Sequence, residues 1–162
     1  MLDTTTAETA ETIRLFYHLQ ATVVSNYTEK DIKDALNANK IVIISVNGRL
    51  IGNPYYKQPG PIYHMLVIRG YTTTQLITND PGTKNGENYK YSFSTLKNAP
   101  ADWNHATNTI DENKSLMIVV SKWFYLLDFL ALRSASILAL MARRFAVLCE
   151  CGFLVNILPN GP

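Results

Sequence analysis

The 162-residue sequence predicts an α+β domain followed by a tail of different composition. Three observations carry that expectation. Helical patterns dominate the first forty residues, whereas short apolar runs broken by Gly-, Pro- and Asn-rich turns dominate 41–121, the layout of segregated helices and an antiparallel sheet. With 47% hydrophobic and 17% charged residues the composition is globular, and the length suits one domain with a real core. Lysine then stops: residues 1–122 hold nine Lys and three Arg, while 123–162 hold no Lys and three Arg.

The elements follow in order. "TAETAETIRLFYHL" (6–19) spaces Ile13, Phe16 and Tyr17 helically, and "ATVVS" (21–25) is a short β-branched strand. "YTEKDIKDALNANK" (27–40) is a second helix, with Thr28 as N-cap and Glu29 and Asp31 in the first turn, where the helix dipole favours them. "IVIISVN" (41–47) is nearly continuous in apolar residues and predicts a strand buried on both faces. A Gly- and Pro-punctuated loop (48–61) leads to two strands, "IYHMLVIRGY" and "QLITN", separated by "TTT". "DPGTKNGEN" (80–88) is turn chemistry, "YKYSF" (89–93) a strand, "STLKNAPADW" (94–103) a short helix interrupted by Pro100, and "SLMIVVS" (115–121) a last core strand. There is no internal repeat.

Several functional classes drop out. A formal charge of +2 with no Lys/Arg stripe gives nucleic acid nothing to follow. The start, "MLDTTTAETAETIRLF", has neither a basic n-region nor an apolar h-region, so it is not read as a signal peptide; localisation stays open, cytoplasmic only for the chain as given. The two cysteines, Cys149 and Cys151, flank Glu150 in the apolar tail, where an anionic neighbour raises a thiol pKa. They form neither a disulfide framework nor a zinc site, and no metal or cofactor is expected. His18 reads as helix packing and His105 as a loop residue.

The tail is Leu/Ala-rich. Its window 123–142 carries Asp128 and Arg133, each costing about 2.5–3.5 kcal/mol near a bilayer centre. Three readings stand for it: a membrane-associated segment through residues 123–158, an extra packing helix, or a segment foreign to the domain.

The candidate chemistry lies in the hairpin. His64 opens one strand and Asp80 ends the next. If Thr72–Thr74 form a three-residue loop, partner positions sum to 146, and the two even-numbered residues share a face as diagonal neighbours. A two-residue loop would put them on opposite faces and end the idea. An imidazole held by a carboxylate is fixed in tautomer and can serve a nucleophile as base. The alternative is a strand-end histidine beside an Asx-type turn.

"NGRLIGNPYYKQPGPIYHMLVIRGY", the segment beginning "TNDPGT" and "ADWN" together resemble peptidase family thirty-nine of the cysteine peptidases, which includes the bacteriocin-processing, double-glycine peptidases and their stand-alone bacterial relatives. The resemblance covers roughly 10–122. It implies a papain-like fold, a triad in chain order Cys, His, Asp, and a peptide or protein substrate. It further implies His64 as general base, Asp80 as its orienting partner and Trp103 as a shield against water. Family members are often exported or membrane-linked.

One departure is decisive for activity. The family's nucleophilic Cys opens a helix ahead of the histidine, with an oxyanion-stabilising Gln before it, whereas no cysteine here precedes position 149. The expectation is therefore a truncated, papain-like half-domain over 1–122, inactive as given, with an apolar helical tail over 123–162. A peptide-binding pseudoenzyme and a structural, membrane-associated protein are the alternatives. The loop 48–61 forms either a cleft rim, with Tyr55 and Tyr56 against a peptide, or a self-packed loop held by its own tyrosines.

Overall fold

Two reciprocal capping boxes start the main helices. Thr5 and Thr28 accept from the N–H of Glu8 and Asp31, whose carboxylates reach back to the cap N–H groups. They open α1 (Thr6–Tyr17) and α2 (Glu29–Asn37) in the computed structural model, which describes residues 3–122. α1 ends two residues short of the expected limit because His18 turns left-handed at φ 51° and caps it. Its buried residues are Thr6 and Ala10, with Ile13 half-buried, while Phe16 and Tyr17 are 75% and 69% exposed. A small inward face lets the helix lie close on the sheet.

The strands are β1 (Gln20–Ser25), β2 (Ile41–Val46), β3 (His64–Tyr71), β4 (Gln75–Asn79), β5 (Glu87–Ser92), β6 (Asp102–Asn104), β7 (Thr109–Asp111) and β8 (Leu116–Ser121). Six of them form one antiparallel sheet in the order β1-β8-β2-β3-β4-β5, and β6-β7 form a separate ribbon. Between β5 and β6 the expected helix over 94–103 is only α3 (Phe93–Lys97). Pro100 bridges to Val46 instead, and 102–104 are drawn into pairing with 109–111, a short strand without a sequence signal of its own.

The main core lies on one face of the sheet, where Val42, Ile44, Val46, Leu66, Ile68, Leu76 and Met117 meet Ile32 and Ala35 of α2. Each fully buried Leu or Ile contributes about 1.5–3 kcal/mol. On the other face α1 sets Ala10 against Ala21, Ile118 and Val120, with Ile43 alongside. β2 thus has cover on both faces except at its first residue, Ile41, which is 50% exposed. A second anchor fixes α1: the Thr6 N–H and hydroxyl both donate to the buried Asp102 carboxylate at 2.8 and 2.9 Å. Negative charge at a helix N-terminus is favoured by the dipole.

Among the described residues no helix is long and apolar enough to cross a membrane. The expectations for 123–162, including an apolar helix and a membrane segment through 123–158, lie outside the described residues.

The β3–β4 hairpin reaches the expected pairing by a different route. At the turn, Tyr71 pairs with Leu76 and Gly70 with Ile77, sums of 147, and the Thr72 N–H donates to the Gln75 carbonyl at 2.8 Å. Continued, that register would put positions 64 and 80 on opposite faces. A β-bulge intervenes: Arg69 has no partner, and beyond it Ile68 pairs with Thr78 and Val67 with Asn79, sums of 146. The turn and the bulge each shift the phase by one, and the shifts cancel.

Deleting Arg69 should join the two registers directly and cost no more than the ordinary range of about 0.5–3 kcal/mol. Deleting Val67 must either drive Arg69 into the core position of Ile68 or turn His64 away, and should abolish cooperative unfolding. Denaturant melts of the two deletions give the comparison, and equal damage from both would contradict it.

Candidate active site

Asp80 is the centre of the site. It sits one residue beyond β4, where its N–H donates to the Gly86 carbonyl at 3.0 Å and closes the loop 80–86. Gly86 is compulsory there, since a Cβ would lie 1.8 Å from the Asp80 carbonyl oxygen. The side chain is buried. Its Oδ1 accepts from the Gly82 N–H at 2.9 Å and lies 2.7 Å from His64 Nε2. Its Oδ2 accepts from the Tyr56 hydroxyl at 2.6 Å, the Tyr91 hydroxyl at 2.7 Å and Asn53 Nδ2 at 3.1 Å.

Each partner comes from a different element. His64 is the first residue of β3, paired with Val46 of the central strand β2, which fixes its backbone from the core side. Tyr91 projects from β5, on the far side of β4. Asn53 and Tyr56 come from the long loop between β2 and β3. The Asn53 amide is itself oriented, because its Oδ1 accepts from the Tyr55 N–H while its Nδ2 also donates to the Tyr91 oxygen at 2.8 Å. Tyr56 stands edge-on to the imidazole, with ring centroids 5.5 Å apart at 78°.

The electrostatics follow from the donors. Burial opposes ionisation of Asp80, but the hydrogen bonds from His64, Tyr56, Tyr91 and the Gly82 N–H outweigh it and hold the carboxyl well below the usual carboxylate range. Burial and the adjacent Asp80 push the Tyr56 and Tyr91 phenols up, so both remain protonated donors. With a carboxylate on Nε2, the proton of neutral His64 belongs on that nitrogen. Nδ1 has no hydrogen-bond partner among the described residues, and the side chain is 10% exposed. A nitrogen in that state can accept a proton from a group brought beside it.

The sequence-derived site residues are distributed unevenly. His64 and Asp80 meet directly. Tyr56, expected on a cleft rim, is instead 6% exposed and bonded to Asp80, because its hydroxyl has a carboxylate to satisfy. Tyr55 is 54% exposed, packs edge-on to Tyr89, and lines an open groove with Lys84, Asn85 and Glu87. Trp103 is buried in β6 against Tyr63, the residue before His64, with ring centroids 5.9 Å apart. Asn53 and Tyr91 were missed. Tyr91 lies two residues from Tyr89 on the same strand, but nothing local points a phenol at Asp80, and Asn53 is one more polar residue in a Gly- and Pro-punctuated loop. His18 is an exposed helix cap, and His105 pairs with Glu8 at 2.9 Å.

A depressed folded-state pKa gives stability that is present above the unfolded carboxyl value of about 4 and is lost as pH falls below it. Asp80→Asn should therefore flatten the loss of stability between neutral and acid pH, and lower stability at neutral pH by about 1–3 kcal/mol, because its amide opposes the surrounding donors. Melting curves across pH test both. Gly82→Ala would set a Cβ 2.9 Å from Tyr56 Cε1 and 3.0 Å from His64 Cε1, so the rings must move; overpacking of that kind costs about 1–3 kcal/mol. A crystal structure of the variant should show His64 and Asp80 further apart, and an unmoved pair would refute the constraint.

The model of the Peptidase_C39 like family matches residues 2–111. No curated protein matches the chain. A crystal structure from Bacillus anthracis, described as a "putative C39-like peptidase", matches with a TM-score of 0.50 and 12% identity, over 74% of this chain and 60% of that one. At that identity the likeness concerns the fold, and the chain spans 60% of the length of that protein.

Proposed function

The chain belongs to the Peptidase_C39 like family, and from that premise we propose that His64 and Asp80 are the base and its orienting partner in a cysteine-peptidase-type site acting on peptide or protein substrates. The observation that carries this reading is the 2.7 Å contact between His64 Nε2 and a buried, ionised Asp80, which leaves Nδ1 as the accepting nitrogen. In that role Nδ1 takes the proton of a thiol, and the thiolate attacks the peptide carbonyl. The imidazolium returns the proton to the departing amine, and water then cleaves the thioester. Asp80 stabilises the imidazolium and keeps the ring from turning. Trp103, which the family resemblance marks as a shield against water, packs on Tyr63, the residue before His64.

The thiol itself is the missing part. No cysteine occurs before Cys149, and Cys149 and Cys151 lie outside the described residues. The 162-residue polypeptide assayed alone is then a chemically silent relative that retains the histidine–aspartate half of the site.

A peptide-hydrolysis assay on the chain, alone and joined to a nucleophile-bearing helix of a family relative, tests this. The chain alone should be inactive. The joined chain should be active, and His64→Ala should reduce that activity by about 10²–10⁴-fold, the usual worth of a general base. Activity in the unjoined chain would overturn the assignment of silence, and joined activity indifferent to His64 would overturn the base.

A further inference from the structure

Asp80 receives more than an orienting carboxylate needs. One oxygen, Oδ1, serves His64 and the Gly82 N–H, while Oδ2 takes three donors that never touch the imidazole nitrogens. All four non-histidine partners are donors. A neutral Asp80 would have to offer its own proton to His64 or to a phenol oxygen, reversing one of the bonds that the carboxylate now receives. The surroundings therefore favour a carboxylate facing an Nε2–H, the arrangement in which all five contacts are satisfied at once.

The donors are also set against rotation of the carboxylate about its Cβ–Cγ bond. Turning Oδ2 toward the imidazole would break the Tyr56, Tyr91 and Asn53 bonds together. The Tyr91 hydroxyl has no freedom to follow, since its oxygen accepts from Asn53 while its proton goes to Asp80. Tyr56 acts on both members of the pair, because its hydroxyl holds Asp80 while its ring walls the imidazole edge-on.

We propose that Tyr56 and Tyr91 are positioning residues that act through Asp80 to fix the tautomer of His64, keeping Nε2 protonated and Nδ1 free to accept. The catalytic meaning of this assignment rests on the proposed base role of His64, but the positioning itself is a property of the folded chain and can be read without activity. Neither phenol touches a reacting atom. Their contribution is to make one of the two imidazole nitrogens the only available base.

The test is nitrogen NMR of the histidine side chains in the full 162-residue protein, with His64 identified by its disappearance in His64→Ala. The native protein should show a single Nε2–H tautomer of His64 and a slowly exchanging Nε2–H proton. In the Tyr56→Phe/Tyr91→Phe double variant the Nδ1–H tautomer should appear, and the Nε2–H proton should exchange about tenfold faster or more, the equilibrium worth of a hydrogen bond to a charged group. Tyr56→Phe keeps the aromatic wall and removes only the hydroxyl, so its effect reports the bond to Asp80. Tyr71→Phe, which removes a surface phenol bonded to Asn37, should change nothing at His64. Where the double variant does not fold, the two single variants carry the test, each expected to show an intermediate shift. A single tautomer with native exchange in the double variant, or in both single variants, overturns the proposal. A tautomer that responds while the joined chain ignores His64 defeats the proposed function and leaves the positioning standing; the reverse result defeats the positioning alone.

Discussion

A buried carboxylate must be saturated with donors or it will not stay charged. Much of this domain is arranged around meeting that demand at Asp80. The donors come from β3, from β5, from the loop between β2 and β3, and from the turn that follows Asp80 itself. Each must be in place at once, so the requirement acts as a constraint on four segments far apart in sequence. Deep core residues such as Val46, Leu66 and Leu76 position the strands to within reach. The hydrogen bonds then set which side chains face each other.

The same solution is used a second time. Tyr63 and His64 are neighbours in the chain, and each meets a different buried aspartate: Tyr63 reaches Asp102 at 3.4 Å, and His64 reaches Asp80. Asp102 in turn holds the first residue of α1, and Thr6 links on to Ser45 of β2 at 2.8 Å. Residues 63–64 therefore join two polar clusters, one that fastens a helix to the sheet and one that carries the candidate chemistry. Both depend on β2 and β3 staying in register, which the unbroken pairing from Val42–Ile68 to Val46–His64 secures.

How much of this was legible in the sequence depended on whether the signal was local. The Thr28 cap and the apolar run of β2 are written in spacing a few residues long, and the approach of His64 to Asp80, 16 residues on, in the parity of a single hairpin. The role of Tyr56 was not, because a tyrosine in a Pro-rich loop looks the same whether its hydroxyl meets water or a carboxylate. Asn53 and Tyr91 were hidden for the same reason: each meets Asp80 from outside the hairpin, one from the loop between β2 and β3 and the other from β5. The outward turn of Phe16 and Tyr17 defeats a periodicity argument, since Ala10 and Ile13 leave just enough inward surface for a close-packed helix. β7 is three residues long and exists only because β6 pairs with it.

The hairpin reached the right parity although its turn did not have the assumed geometry. That outcome exposes a useful property of the bulge at Arg69. It divides the hairpin into a distal part, whose numbering is governed by the loop at its tip, and a proximal part, whose numbering is governed by the sheet. Gain or loss of a residue at the tip can be taken up at Arg69 without reaching His64 or Asp80. Relatives of this domain are then free to differ in hairpin length, and correspondence between them should be counted outward from the histidine and aspartate. Counted inward from the tip, equivalent positions drift by one residue while the chemistry stays where it is.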